Sequence, residues 1–257
     1  MQRSCKELKR IARENLHNKY TIHMNAYLCA TLITMLVEFP FSMMQTEETF
    51  SAQNMIIYAA QLLISIAAIV LTCGEYRIHF QIAKGQKTDM KQFFYPITHQ
   101  PDRYILGKLF YLAVSLIGLI PLLLAGFLVS KEKNALLILS LVLVIIGCIL
   151  LVIIALNFDL VYFFLLDDEN LTIREAFRKC QNTMKGNKRR YLYMLLSFVG
   201  MWFLVILSLG IALLWVQTYM NQTITLLYLD VTGQLDSVEA VKKEPQPQQE
   251  AVLNQYY

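Results

Sequence analysis

The chain is poor in the residues that most reactions and most covalent frameworks require. Its five cysteines, Cys5, Cys29, Cys73, Cys148 and Cys180, form no CxxC pair, and three of them lie inside apolar runs. A disulfide framework and a thiolate-held zinc site both need clustered thiols, so neither is expected. The four histidines, His17, His23, His79 and His99, are scattered along the chain, which disfavours a metal site built from local spacing. A phosphate-cradling GxxxxGK[ST], a GxSxG elbow and an HExxH pair are all missing. The sequence therefore predicts a protein that is not an enzyme and holds neither cofactor nor metal. Charge is scarce as well, at 16% of the residues.

Apolar residues take that place, at 56% of 257 positions. A soluble domain of this size cannot hide so many, and runs near 20 residues long have the length needed to cross a bilayer. The expected fold class is all-α: a polytopic transmembrane helical bundle of six spans, with amphipathic interfacial helices beside it. Residues 1–19 read as an amphipathic helix, with Leu8, Ile11, Ala12 and Leu16 at helical spacing. This start is too long and too charged for a signal peptide, so no cleaved leader is expected. Spans are predicted at 20–44, 54–73, 103–129, 135–158, 191–209 and 211–229. In the loop after the second, Thr88 or Asp89 can cap a short helix, and Phe93 and Phe94 can enter the interface. The apolar run of 191–229 would measure about 58 Å as one helix, so it is divided at Gly210. After Asp230 the composition changes, and 231–257 is expected to be a flexible tail.

The distribution of charge orients this bundle. In the six-span arrangement, all but Lys131 and Lys133 of the 23 Lys and Arg fall on one side. The positive-inside rule makes that side cytoplasmic and puts both termini there. Basic clusters beside membrane spans suit anionic lipid headgroups, so lipid is the expected partner and nucleic acid is not. A membrane-protein partner is left open.

One polar island, LTIREAFRKCQNTMKGNKRRY at 171–191, carries seven of the basic residues and the single acid Glu175. Thr172 and Glu175 fit a capping box, and Gly186 fits a helix stop. Ile173, Ala176, Phe177, Cys180 and Met184 gather on one face, while Arg174, Arg178 and Lys185 lie opposite. Glu175 is also placed to pair with Lys179 at i,i+4. The expectation is an interfacial helix whose headgroup contacts are Arg174, Arg178, Lys179, Lys185, Lys188, Arg189 and Arg190.

ELKRIARENLHNKY, KGQKTDMKQFF and FLLDDENLTIREAFRKCQNTMKGNKRRYLYMLLSFVGMW, followed by LSLGIALLWVQTYMNQTITLLYLD, resemble a bacterial integral membrane family, domain of unknown function 975. The likeness covers nearly everything but the tail, and is most specific around MKGNK. The chain departs from the family in reading IIGCILLVIIAL where a Pro-Gly pair is common, and in placing Arg189 and Arg190 before Tyr191. The resemblance implies a helical protein of the bacterial cell membrane and brings no established activity.

Polar groups inside the spans are the remaining candidates, because ionisable residues in hydrocarbon are costly and mark functional paths. These are Glu38 near the outer end of the first span and Asn157 with Asp159 deep in the fourth run. The leading functional expectation is a non-enzymatic membrane protein that organises or assists other membrane components. The alternative is a small transporter or an export or immunity accessory, drawing on Glu38, Asn157, Asp159, Gln217 and Asn221.

Overall fold

The structure is a computed structural model that describes residues 3–46, 51–129 and 134–243. These residues form twelve helices: α1 (Cys5–Leu16), α2 (Tyr20–Met43), α3 (Ala52–Ala83), α4 (Lys91–Thr98), α5 (Pro101–Val129), α6 (Asn134–Phe158), α7 (Val161–Asp167), α8 (Ile173–Met184), α9 (Lys188–Leu196), α10 (Val199–Leu207), α11 (Leu213–Val231) and α12 (Leu235–Lys243). Among the described residues no strand occurs. Five helical stretches are long and apolar enough to cross a membrane: α2, α3, α5, the α6–α7 run Leu136–Asp167 and the α9–α10 run Lys188–Leu207. The helical-bundle fold class expected from composition is the one observed.

Length and composition do not establish the expected sixth crossing. A helix does follow the turn at Gly210, but α11 is not one of the five, because its sequence is polar. The chain reverses where Leu209 and Gly210 both take positive φ, 52° and 91°. Gly210 tolerates that geometry freely and Leu209 does not. The backbone bonds itself through the bend: Gly210 N–H donates to the Val205 carbonyl at 2.8 Å, and Ala212 N–H to the Ser208 hydroxyl at 2.9 Å. A bend in hydrocarbon requires such internal pairing.

Asp167 gives a common baseline for measuring depth. Its carboxylate accepts from Lys84 Nζ, just past the end of α3, at 2.8 Å, and from the Tyr228 hydroxyl near the end of α11 at 2.9 Å. From that level α3 runs 32 residues, about 48 Å. α11 has 19 residues, about 28 Å. It therefore returns after covering only the nearer part of α3, and the outer part of the α2–α3 hairpin extends past it.

Elsewhere the boundaries shift for identifiable reasons. The second span continues as α3 to Ala83, ten residues beyond its predicted end, because α4 packs on the extension. Gly74 makes room for it, since a Cβ there would lie 2.0 Å from the Phe93 carbonyl oxygen. Arg77 and Gln81 both donate to Gln92 Oε1 at 3.0 Å, and Arg77 lies over the Tyr95 ring. Phe93 is buried and Phe94 exposed. The long fourth run breaks at Asp159–Leu160 into α6 and α7, beside the polar residues that marked its exit from hydrocarbon. The last run breaks once more, between Leu196 and Val199.

The expected flexible tail of 231–257 starts too early. Leu235 is 1% exposed, and α12 is held by Arg3, which donates to Asp236 at 2.6 Å and Glu239 at 3.1 Å. Residues 244–257 lie outside the described residues. Likewise, α1 is no free surface helix. Its predicted face, Leu8, Ile11, Ala12 and Leu16, is fully or nearly fully buried, and Tyr219 of α11 donates to the Lys9 carbonyl at 3.3 Å.

Candidate functional site

The polar groups that matter most converge where α2, α3 and α11 meet. α11 is amphipathic in an inverted sense: its inner side carries Thr218, Asn221, Gln222, Thr223 and Thr225, all buried. Thr223 and Thr225 return their hydroxyl protons to carbonyls one turn back, Tyr219 and Asn221, both at 2.8 Å. That satisfies them without a partner helix. Asn221 and Gln222 instead reach across to α3.

Glu75 is 5% exposed and accepts from Asn221 Nδ2 at 2.6 Å. One turn on, His79 is fully buried, and its Nδ1 meets Gln222 Oε1 at 2.8 Å. A carbonyl oxygen can only accept, so His79 carries its proton on Nδ1 there. Its Nε2 then points a lone pair at Glu75 Oε1, 3.8 Å away. His23 of α2 stacks on His79 with ring centroids 4.0 Å apart. Neither nitrogen of His23 has a hydrogen-bond partner among the described residues, nor has His79 Nε2, Gln222 Nε2 or Thr218 Oγ1. Buried polar atoms are rarely left like this, so the cluster stores unmet hydrogen-bonding capacity.

A cavity of about 300 Å³ opens onto Glu75, lined also by Tyr27, Thr31, Thr34, Thr72 and Gln217. Among the described residues no Lys or Arg pairs with Glu75, and His79 Nε2 lies 3.8 Å from it. Ionisable groups enclosed in a membrane bundle are costly to keep and mark candidate functional positions.

Scanning the linear sequence missed Glu75, His23 and His79. It scored Glu75 as part of a loop and the histidines as dispersed, although α3 and α2 bring His23 and His79 ring to ring. Two signals were available: Glu75 and His79 stand at i,i+4, and Gln217 and Asn221 interrupt an apolar run at the same spacing.

The intramembrane residues chosen from sequence fall elsewhere. Glu38 is half-buried, about one and a half turns before the outer end of α2, and makes no ion pair among the described residues. Asn157 returns a hydrogen bond to the Ile153 carbonyl at 2.6 Å, and its own carbonyl accepts from the Cys180 thiol at 3.2 Å. Asp159 accepts a hydrogen bond from the Tyr191 hydroxyl. Asn157 and Asp159 thus join the α6–α7 break to α8 and α9, and they do not line the Glu75 cavity. Burial pushes the Cys180 thiol up to about 12, so it is a hydrogen-bond donor there and no nucleophile.

On α8 the expected cap and most of the expected apolar face are present, with Ile173 half-buried. Thr172 and Glu175 form the capping box, and Ala176, Phe177, Cys180 and Met184 are buried. The Thr172 hydroxyl and backbone N–H hold the Glu175 carboxyl below the usual range. Arg174, Arg178, Lys179, Lys185 and Arg189 are exposed, and Lys188 is half-buried. Lys179 approaches Asp168 at 3.9 Å, Glu175 being occupied by its cap. Arg190 is the exception. It turns inward, 2.6 Å from Asp230, which Arg3 also approaches at 3.8 Å. That carboxylate clamps the start of the chain, α9 and the end of α11 together.

The chain belongs to the family described as "Protein of unknown function (DUF975)", which matches residues 1–234. That extent stops just before α12 and includes every residue of the α2–α3–α11 cluster. No curated protein and no solved structure matches the chain.

Proposed function

We propose that this protein is a small transporter or export accessory of the bacterial cell membrane, working through the polar core of α2, α3 and α11. The observation that carries this reading is the Glu75–His79 pair, buried beside a cavity and facing Asn221 and Gln222 of a helix too polar to lie against lipid. Maintaining such groups inside a bundle is costly, and the cost is understandable where a solute or a proton must pass. The role is non-enzymatic: the core presents a carboxylate, imidazoles, amides and hydroxyls, without an activated nucleophile. The basic end of the bundle, holding Arg3, Lys84, Arg190 and the exposed face of α8, lies in the cytoplasm together with both termini.

The test is proton entry into proteoliposomes loaded with a pH-sensitive dye under an imposed membrane potential. Wild-type protein should raise the entry rate, and Glu75→Gln, which keeps an acceptor for Asn221, should return it to that of empty vesicles. Equal rates for the two proteins would overturn the reading.

A second reading, organising or assisting other membrane components, is favoured by one observation of its own. Arg174 and Arg178 on α8, Lys185 at its end and Arg189 at the start of α9 are all exposed. Each such residue near anionic lipid contributes about 1 kcal/mol at low salt, so the face suits negatively charged headgroups.

A further inference from the structure

We infer that α9, α10 and α11 form a re-entrant hairpin whose tip, residues 207–211, is a surface for lipid acyl chains. The hairpin enters the bilayer from the cytoplasmic side, turns inside the hydrocarbon and leaves on the side it entered. Its topology is independent of the transport reading. No Asp, Glu, Lys or Arg occurs between Arg190 and Asp230. Those two residues, the first charges at either end of the stretch, pair with each other at 2.6 Å. Both feet of the hairpin therefore stand at one level, at the basic end of the bundle.

His23, His79 and Gln222 mark a second level, where the imidazoles stack and Gln222 bonds to His79. Asp230 is eight residues further in than Gln222 on the same helix, about 12 Å. Outward from His23, α2 continues through twenty residues to Met43, about 30 Å, the thickness of the hydrocarbon core. α11 begins only nine residues outward of Gln222, at Leu213, about 14 Å. The bend thus turns about 16 Å short of the outer end of α2, near mid-bilayer. The α9–α10 run has a crossing's length, but about 12 Å of it is spent below the histidine level. The turns agree with this depth. The taller hairpins are connected by charged sequences, QTEETFS after α2 and SKEKN after α5. SLGIA, at 208–212, carries no charge, and Leu207 is 80% and Leu209 94% exposed. The Ser208 hydroxyl donates to the Val205 carbonyl at 3.1 Å, as the backbone of the bend also bonds internally. A tip that pairs its own polar groups and presents aliphatic side chains fits acyl chains.

The test is the depth of a nitroxide carried on Leu209→Cys, in full-length protein reconstituted in phosphatidylcholine vesicles. Cys5, Cys29 and Cys148 are changed to Ser, and the buried Cys73 and Cys180 are kept. Power-saturation electron paramagnetic resonance compares collisions with oxygen, which concentrates in hydrocarbon, and with a water-soluble nickel chelate. Oxygen should dominate at least tenfold at residue 209, and the chelate should dominate for a nitroxide on Gln45→Cys, just beyond α2. Circular dichroism matching wild type shows that both labelled proteins are folded. Sidedness is read separately: an impermeant maleimide should reach Arg189→Cys and Ser237→Cys in inverted vesicles and neither in intact bacterial cells. A nitroxide at 209 as open to the chelate as one at 45 would overturn the inference. Labelling of either residue 189 or residue 237 in intact cells would overturn it as well. Absence of proton entry would remove the transport reading and leave the hairpin standing.

Discussion

α6 and α11 belong to one bundle and obey opposite rules. α6 is apolar on every side, and the run it belongs to is only 17% buried in its most apolar stretch. α11 carries threonines, amides and an aspartate, yet eleven of its 19 residues are buried. In water the first would be the core and the second the surface. Here lipid takes the place of water, so apolar surface gains nothing by hiding, and polar groups must be enclosed. The means of attachment differ accordingly. α6 meets α5 through small residues: a Cβ on Gly147 would lie 2.7 Å from the Leu122 side chain, and one on Gly118 2.8 Å from Leu151. α11 is fixed by directed bonds to Glu75, His79, Asp167 and Arg190.

The contrast is broken most severely at the base of α11. Asp230→Ala removes the acceptor shared by Arg3 and Arg190, whose side chains are 14% and 15% exposed. The nearly buried Arg190 guanidinium would lose its counter-charge, at about 3–5 kcal/mol, while Arg3 keeps Asp236 and Glu239. Thermal unfolding in detergent should show a large drop in midpoint, and proteolysis should reach the α1 and α12 segments first. An unchanged midpoint would mean that the clamp contributes nothing.

A smaller loss is expected in the middle of the same helix. Asn221→Leu takes the hydrogen-bond donor from Glu75 and should cost about 1.5–3 kcal/mol, the range for a bond to a charged group. The matching change on the apolar side is Gly147→Ala, where overpacking against Leu122 and the Gly118 carbonyl should cost about 1–3 kcal/mol. The two can be told apart by a double-mutant cycle. Adding a second change, Glu75→Gln, should cancel most of the further cost of Asn221→Leu and leave that of Gly147→Ala untouched, because only the first pair shares a hydrogen bond.

The rule that distinguishes α6 from α11 also explains what could be read from the sequence. Apolar length is a local property, so α2, α3, α5 and α6 were found within a few residues at most of their ends. Turn chemistry is local too, and the bend at Gly210 fell where predicted. The capping box of α8 and its buried stripe were likewise written in adjacent residues. The functional cluster was not, because it depends on which helices touch. Hydropathy registers Gln217 and Asn221 as blemishes in an apolar span, and it does not say that Asn221 meets Glu75 across 146 positions of sequence. The length of α11 relative to α3 was equally hidden, since a run of 19 residues is enough to cross a bilayer wherever it starts.

The smallest expected effects belong to α8, which stands between the two regimes with one face in the protein and the other exposed. Its capping box should respond to acid. The Glu175 carboxyl is held below its ordinary value first by the Thr172 hydroxyl. A depressed folded value means that the stabilisation is complete above about pH 4.3, the unfolded value, and is lost as pH falls through the folded value. Hydrogen exchange at the first turn of α8 should therefore quicken in acid, and Thr172→Ala should abolish that dependence. The basic face should matter even less to folding. Arg178→Gln replaces an exposed residue that enters no ion pair among the described residues, so the midpoint should move by less than about 0.5 kcal/mol. Its effect belongs instead to the surface: combined with Arg174→Gln, it should weaken the association of an isolated α8 peptide with phosphatidylglycerol vesicles at low salt. High salt should erase the difference, because exposed charges are screened within about 10 Å at 0.1 M. Equal association of the two peptides at low salt would remove the headgroup role from these arginines and leave α8 as a docking helix alone.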